Sequence, residues 1–510
     1  MKPDLLSVDR PLTERITDTY IITMLLIFPL FFGFDGYRSI TVSKFAFFIG
    51  CTGLWAAALC IALLRSRARF PLAAPQWAAM GYLLLCLLSW LCSPYRAQAL
   101  LGAGRYDGLL STFAYVLIFL CVSAFARPRP LYAQCLALSV SLCAAIALLQ
   151  LADRNPLGLY PANLGYYDRG VKYTGAFLGT IGNTNLLDAL LCLTLPLFCA
   201  MYVCGHGPWC LPPVLLSLPL LCKAGGDGGK LALALTLLIA MPLLLTQPVR
   251  IRRAMRCCAY ILLVAALSRF WQPGAGAPLR FSLSPGFAWL TVAGVLLFAL
   301  SRLPEPGRCP APWTLRRVFL GLSLLLVLGG LAAAYFAGPE AGARYELGQL
   351  LRGHVEDSFG SSRIRIWREC LALLGERPLL GGGPGTAALR LDISFSRYVP
   401  ETGQTLQTFV DNCHNVYLAV ALNTGCLSLA ALLALGVLAV LCCYRYRASA
   451  LTLPLGLGAT CCAIQELFGL GLCITMPLLW IVLGLICAPA AQAPPPEVSY
   501  EHDLEENHPK

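Results

Sequence analysis

The 510-residue chain is poor in charge. Asp, Glu, Lys and Arg make up 13% of it, against 58% apolar residues. A soluble domain carries roughly 25% charged residues, because its surface has to be wetted. The shortage excludes a row of soluble domains and points to a polytopic membrane protein. No CxxC pair occurs among 24 cysteines, which removes a zinc knuckle or a thioredoxin-like site. Nearly all the cysteines sit in apolar runs such as Cys257-Cys258, Cys442-Cys443 and Cys461-Cys462, where a thiol acts as a small hydrophobe. In the long outer loops stand only Cys370 and Cys413, for which a bridge stays open. No strand precedes the run Gly381-Gly382-Gly383-Pro384-Gly385 and no Walker lysine follows it, so it is not a nucleotide-binding fingerprint. No internal repeat suggests the inverted halves of a transporter. No cleavable signal peptide is visible either. Lys2, Arg10 and Arg15 alternate with Asp4, Asp9, Glu14 and Asp18, and the apolar run that follows ends at Phe34-Asp35 without a small-residue cleavage site. The first span is therefore expected to stay.

What is present is a series of apolar runs. A crossing takes about 20 residues, fewer where neighbours shield the ends. Fourteen such runs lie at 20–34, 45–64, 75–92, 109–125, 131–151, 183–204, 209–222, 231–247, 257–268, 287–301, 318–336, 416–443, 450–467 and 472–488. With the N-terminus inside, the inner segments hold 18 Lys and Arg and the short outer loops 8, the bias of cytoplasmic loops. The same bias accounts for the net charge of +12 without nucleic acid. The expected fold class is an all-α polytopic membrane protein of about 14 helices with both termini cytoplasmic and one large outer loop containing amphipathic helices. Its parts are N-terminal helices (1–151), central helices (152–336), the outer loop (337–412), C-terminal helices (413–488) and a disordered acidic tail (489–510).

The outer loop gathers the chemistry. Residues 361–374 have helical period, with Ile364, Trp367, Leu371 and Leu374 on one face and Ser361 or Ser362 placed to cap the start. Arg363 and Arg365 fall in its first turn and Arg368 one turn on, the last read as a lipid-headgroup contact. The loop re-enters the apolar region at Asp411-Asn412-Cys413-His414-Asn415, and His414 is one of only five histidines. Alone, a membrane-edge histidine is more often structural, but arginines converge here on a re-entering helix.

Arg363…Trp367, Glu376-Arg377-Pro378-Leu379-Leu380-Gly381, Gly383-Pro384-Gly385, His414-Asn415…Leu418 and Gly425 resemble the signature of the O-antigen ligase and Wzy-type polymerase superfamily. Gly104-Arg105-Tyr106-Asp107-Gly108-Leu109 and Gly179-Thr180-Ile181-Gly182-Asn183-Thr184-Asn185 add to the resemblance, which spans roughly residues 100–435. One departure stands out. Where the family often has Ser-Arg-Gly, this chain has Ala224-Gly225-Gly226-Asp227-Gly228-Gly229-Lys230, so that Lys230 or Lys223 would supply the cation.

The resemblance implies a membrane glycosyltransferase of the cell envelope, with a GT-C-like fold, in a bacterial cytoplasmic membrane. It would move saccharide from a polyprenyl-diphosphate carrier to a glycan or lipid acceptor on the outer face. Such a displacement needs cations for the diphosphate and a base for the acceptor hydroxyl. Arginine's planar fork suits phosphate oxygens, and histidine accepts a proton near neutral pH. Arg363 and His414 are the expected catalytic pair, His414 as base with its ring oriented by Asp411. Arg365, Arg105, Lys172, Lys230, Asn183 and Asn415 are the expected substrate-binding residues. No Asp-x-Asp occurs, so a metal-independent reaction without cofactor is expected, cations replacing the metal's charge. A flippase or exporter of lipid-linked sugar is the competing reading. It would need charge in many spans, whereas Asp188 and Glu466 are the main such residues here. A non-catalytic scaffold is the third.

Overall fold

The computed structural model describes residues 11–66, 70–152, 154–159, 167–168, 171–172, 178–223, 226–274, 277–281, 285–303, 310–399, 404–447 and 449–492. Buried apolar backbone has to satisfy its own hydrogen bonds, which is why the apolar runs coil into helices. The first half holds α1 (Leu12–Leu26), α2 (Ile40–Ser66), α3 (Ala74–Leu91), the short α4 (Arg96–Leu101), α5 (Leu109–Phe125) and α6 (Pro130–Leu151). A two-stranded ladder follows, β1 (Tyr167–Asp168) with β2 (Val171–Lys172), and then α7 (Thr184–Cys204), α8 (Leu211–Lys223), α9 (Asp227–Leu244) and α10 (Pro248–Phe270). A second hairpin, β3 (Trp271–Gly274) with β4 (Ala277–Phe281), leads to α11 (Pro285–Leu300) and α12 (Pro312–Tyr335). The long loop contains α13 (Ala343–Leu351), α14 (Phe359–Glu376), α15 (Ala387–Arg390) and the antiparallel hairpin β5 (Ser394–Val399) with β6 (Gln404–Phe409). The chain closes with α16 (Val416–Arg445), α17 (Thr452–Gln465) and α18 (Met476–Gln492).

Seven of these helices are long and apolar enough to cross a membrane, and five more are shorter and apolar. The protein is all-α in its body, with small hairpins added. Burial sorts the helices. The apolar window of α7 is 89% buried, so α7 is central, whereas that of α12 is 11% buried and faces outward almost entirely. The main core joins α1, α2, α3, α5, α6, α7 and α18 around Phe28, Phe48, Phe119, Phe198 and Trp480.

Several expectations are corrected. The first helix begins at Leu12 rather than near residue 20, because Arg129 takes up both Asp18 (2.7 Å) and Glu14 and lets acidic residues sit in a packed helix. It stops before Pro29, whose carbonyl accepts from Lys44 Nζ (3.2 Å) and Thr180 Oγ1 (2.7 Å). Lys44, expected in an outer loop, is a fully buried residue of α2. The short run at 257–268 is part of the longer α10, whose arginine-rich first turns looked like loop. The hairpin β5–β6 was not foreseen. In α14, Ser361 and Ser362 do not cap: with Gly360 they are left-handed (φ 63°, 58° and 65° for residues 360 to 362), and no side chain caps the N-terminus. Its buried face is also rotated, to Ile366 and Cys370 flanked by Trp367, Leu373 and Leu374, while Leu371 is exposed. Residues 489–492 continue α18; the rest of the predicted tail, like Ala224 and Gly225, lies outside the described residues.

The loop is fastened to the bundle at a break in α16. Gly425 is left-handed there (φ 89°). The break frees the Leu422 and Asn423 carbonyls, which accept from the backbone of Gly382 (3.2 Å) and Gly383 (2.7 Å), while Cys426 N–H donates to Pro378 (2.8 Å). Ser93 Oγ on the α3 side donates to the Gly382 carbonyl (2.6 Å). The glycine-rich run is thus backbone packed on backbone. A Cβ at Gly425 would collide with the Leu379 carbonyl oxygen, and at Gly436, further along α16, it would meet nothing. Gly425→Ala is expected to lower the melting temperature of the detergent-solubilised protein, by about 1–3 kcal/mol of stability. Gly436→Ala should leave it unchanged or slightly higher. An unshifted transition in Gly425→Ala would contradict this account of the joint.

Candidate active site

His414 sits at the mouth of α16. Asn415 caps that helix, its Oδ1 accepting from Leu418 N–H (3.0 Å), and Asn412 Oδ1 accepts from His414 N–H (3.0 Å). These two side-chain turns hold His414 in a left-handed conformation (φ 49°), unusual for a residue with a Cβ. Trp367 of α14 fixes the approach by donating from Nε1 to the Cys413 carbonyl (3.0 Å). From the other side, Val416 N–H donates to the Glu466 carbonyl (2.9 Å). Beneath lies a second small core of Ile366, Cys370, Ala387, Ile393, Val410, Cys413 and Leu422. Cys370 and Cys413 are free thiols in mutual contact within it.

Asp411 does not orient the imidazole as expected. It is held by Arg105, whose Nε and Nη2 donate to Oδ2 (2.7 Å) and Oδ1 (2.8 Å). A guanidinium fork matches both carboxylate oxygens, which a ring nitrogen cannot do. The pair is partly exposed, 31% and 42% at the side chains, so it contributes below about 1 kcal/mol to stability. Its consequence is positional: residue 105 is brought to the edge of the long loop.

The ring is left with a buried Nδ1 that has no hydrogen-bond partner among the described residues. Burial lowers the His414 pKa to about 4, helped by the charges of Arg363 and Arg105 and opposed by Asp411. The imidazole is neutral at physiological pH and able to accept a proton. The expected partner, Arg363, is close enough for its charge to act on that ring. Arg363 donates from Nη1 to the Gly360 carbonyl (2.8 Å), its Nε is buried without a partner, and it forms no ion pair among the described residues. Burial presses its pKa down, and Asp227 raises it. Asp227 also pairs with Lys230 (3.2 Å), so the Lys230 expected to replace the family arginine lies in the same electrostatic neighbourhood, partly neutralised.

The other expected residues divide. Arg365 turns away and lies over the Phe395 ring of β5 at 5.2 Å. Asn183 caps α7, its Oδ1 accepting from Asn185 N–H (2.9 Å) and Leu186 N–H (3.3 Å), and Asn415 caps α16, so both are committed to helix ends through that oxygen. Lys172 lies in β2, opposite Tyr167; its side chain lies outside the described residues. Arg368 pairs with Asp357 (2.8 Å) rather than standing free.

An apolar cavity of about 230 Å³ opens beside His414's neighbours, with Tyr82, Tyr115, Leu479 and Trp480 in its wall and Asp107, Asn412 and Glu466 among its polar groups. Sequence reasoning missed its carboxyls. Burial raises the Asp107 pKa, against a backbone hydrogen bond and Arg105. Both Glu466 carboxylate oxygens are buried without a hydrogen-bond partner among the described residues. The signal for Glu466 was a lone acid in an apolar run. Asp107 stood in plain view within the Gly104–Leu109 motif. Arg390, also missed, donates to the Leu422 (2.9 Å) and Leu373 (3.3 Å) carbonyls and ties α14 to α16.

Residues 279–433 match the Wzy_C family model, O-antigen ligase. No curated protein matches the chain. The matched segment contains Arg363, His414, Asn415 and Gly425 and stops short of Arg105, Asn183 and Lys230. Over that segment, about a third of its length, the chain is similar to the O-antigen ligase domain, which supports the O-antigen ligase and Wzy-type polymerase superfamily for a protein with helices long and apolar enough to cross a membrane.

Proposed function

We propose that the protein is a glycosyltransferase that moves a saccharide from a polyprenyl-diphosphate carrier to a hydroxyl of a glycan or lipid acceptor at the outer face of a bacterial cytoplasmic membrane. The observation that carries the reading is a half-buried guanidinium, Arg363, without an ion pair among the described residues, acting on a neutral His414 ring whose buried Nδ1 has no partner among them. In the reaction, the acceptor oxygen bonds to the anomeric carbon and the bond from that carbon to the diphosphate oxygen breaks. The hydroxyl proton passes to His414. The departing diphosphate keeps the bonding electron pair, and Arg363 and Lys230 offset its charge. Charge-assisted hydrogen bonds of this kind replace the divalent ion used by many glycosyltransferases. The apolar cavity lined by Tyr115, Leu479 and Trp480 suits the first isoprene units of the carrier.

The reading also sets fourteen crossings with both termini cytoplasmic, supported by the basic excess of the inner segments. Contacts agree on which segments share an end. Arg105 meets Asp411, and the opposite end of α16 brings Arg445 and Arg447 to Arg250 and Arg316.

Transfer assayed with purified protein and lipid-linked saccharide tests the reading. Arg363→Ala is expected to lose roughly 10–150-fold, the equivalent of about 1.5–3 kcal/mol for a charged hydrogen bond. Arg363→Lys should recover part of it, since a point charge cannot grip bidentately. A folded Arg363→Ala protein with unchanged transfer would overturn the assignment.

The pH profile is a second test. A base loses function as the pH falls through its pKa. The lowered pKa of His414 therefore moves the acid limb of kcat/KM, which reports the free protein, to about pH 4 rather than the 6.5 of an ordinary histidine. In kcat the limb should lie higher, because bound diphosphate offsets the two arginines. An acid limb of kcat/KM near 6.5 would mean that the ring is not held as described.

A further inference from the structure

At the end of α16 remote from His414, a pocket of about 380 Å³ is lined by Arg250, Arg316, Arg445 and Arg447, with Leu243 and Leu453 among its apolar walls. The arginines come from the starts of α10 and α12 and the end of α16, segments far apart in sequence. No acidic residue is among those lining the pocket. Among the described residues none of the four arginines forms an ion pair; Arg447 donates to the Tyr444 carbonyl (2.7 Å), and Arg445 lies over the Tyr446 ring (5.9 Å). Four guanidinium groups around one cavity repel one another unless an anion joins them, and none of the described residues lining it supplies one. The N-termini of α10 and α12 add their positive dipole ends.

We propose that this pocket binds the phosphate headgroup of an anionic phospholipid. The inference is independent of the transfer reading, because the pocket lies at the other end of α16 and shares no residue with the His414 site. Fork-shaped guanidinium donors match phosphate oxygens, and basic pockets between membrane helices hold acidic headgroups. A lipid is favoured over a soluble phosphate by what adjoins the arginines. Arg316 is followed on one face of α12 by Leu320, Leu324 and Leu328, at successive spacings of four, all exposed (49%, 57% and 65%). This apolar track leads straight from a headgroup at Arg316 and gives an acyl chain a surface to lie on.

The test is native mass spectrometry of the full chain in detergent, titrated with phosphatidylglycerol, phosphatidylcholine or sodium diphosphate. The wild type should retain phosphatidylglycerol well above phosphatidylcholine, and added salt should weaken only the former. Replacing Arg250, Arg316 and Arg445 together by Gln should cut phosphatidylglycerol affinity by about two orders of magnitude, roughly fivefold per charge. The corresponding Lys variant should keep the preference. Because the wild-type lipid preference and the Lys variant are read separately, a misfolded Gln variant does not remove the test. Equal retention of the two lipids by the wild type would overturn the proposal, as would a folded Gln variant with unchanged preference. Displacement of phosphatidylglycerol by equimolar diphosphate would assign the site to a soluble anion instead. Chain dimers without bound lipid would assign the exposed α12 face to a second copy.

Discussion

The candidate site depends on how a loop is joined to a helix that is otherwise apolar. At Gly425, α16 gives up its own hydrogen-bond ladder for one step, and the unpaired carbonyls of Leu422 and Asn423 are taken over by Gly382 and Gly383. Buried backbone groups have to find partners, so break and glycine run specify each other. Glycine at 425 allows both the left-handed turn and the close approach of the Leu379 carbonyl. Once that joint is made, α14 lies against α16, Trp367 reaches the Cys413 carbonyl, and Arg363 falls within electrostatic range of His414.

Electrostatics then decides which groups remain available. Arg105 is occupied by Asp411, and Lys230 is shared with Asp227. Among the described residues Arg363 bonds only to a backbone carbonyl, and Asp227 acts on it through its charge alone. The same burial that sharpens Arg363 keeps His414 neutral. The site therefore holds a guanidinium and a neutral imidazole within electrostatic range of each other.

The apolar runs were legible because helices buried in lipid or in one another need no amphipathic pattern, only length. The run at 109–125 coincides with α5. Where helices carry charge, the reading faltered. α1 and α10 begin in residues that look like loop, and partners more than a hundred positions away, Arg129 with Arg127 and Tyr132, explain how Glu14 and Asp18 enter a packed helix. In the loop, period found α14 but misjudged its face, because Cys370 was treated apart from the apolar residues it belongs with. His414 and Arg363 stood out by type and position, and the structure brings them within electrostatic range of each other. The fate of Asp411 could not be read this way, since its partner lies 306 residues earlier and nothing local distinguishes a carboxylate held by arginine from one held by histidine.

The central claim is that Arg363 and His414 act on one transition state, and a double-mutant cycle on single-turnover transfer measures it. With donor saturating, rates would be compared for wild type, Arg363→Lys, His414→Gln and the double variant, each confirmed as folded. His414→Gln should lose about 10²–10⁴-fold, the usual contribution of a general base. The double variant should fall short of the product of the single losses, as groups serving one step do. A His414→Gln protein that turns over near the wild-type rate would contradict the account and leave the ring a structural element of the helix mouth.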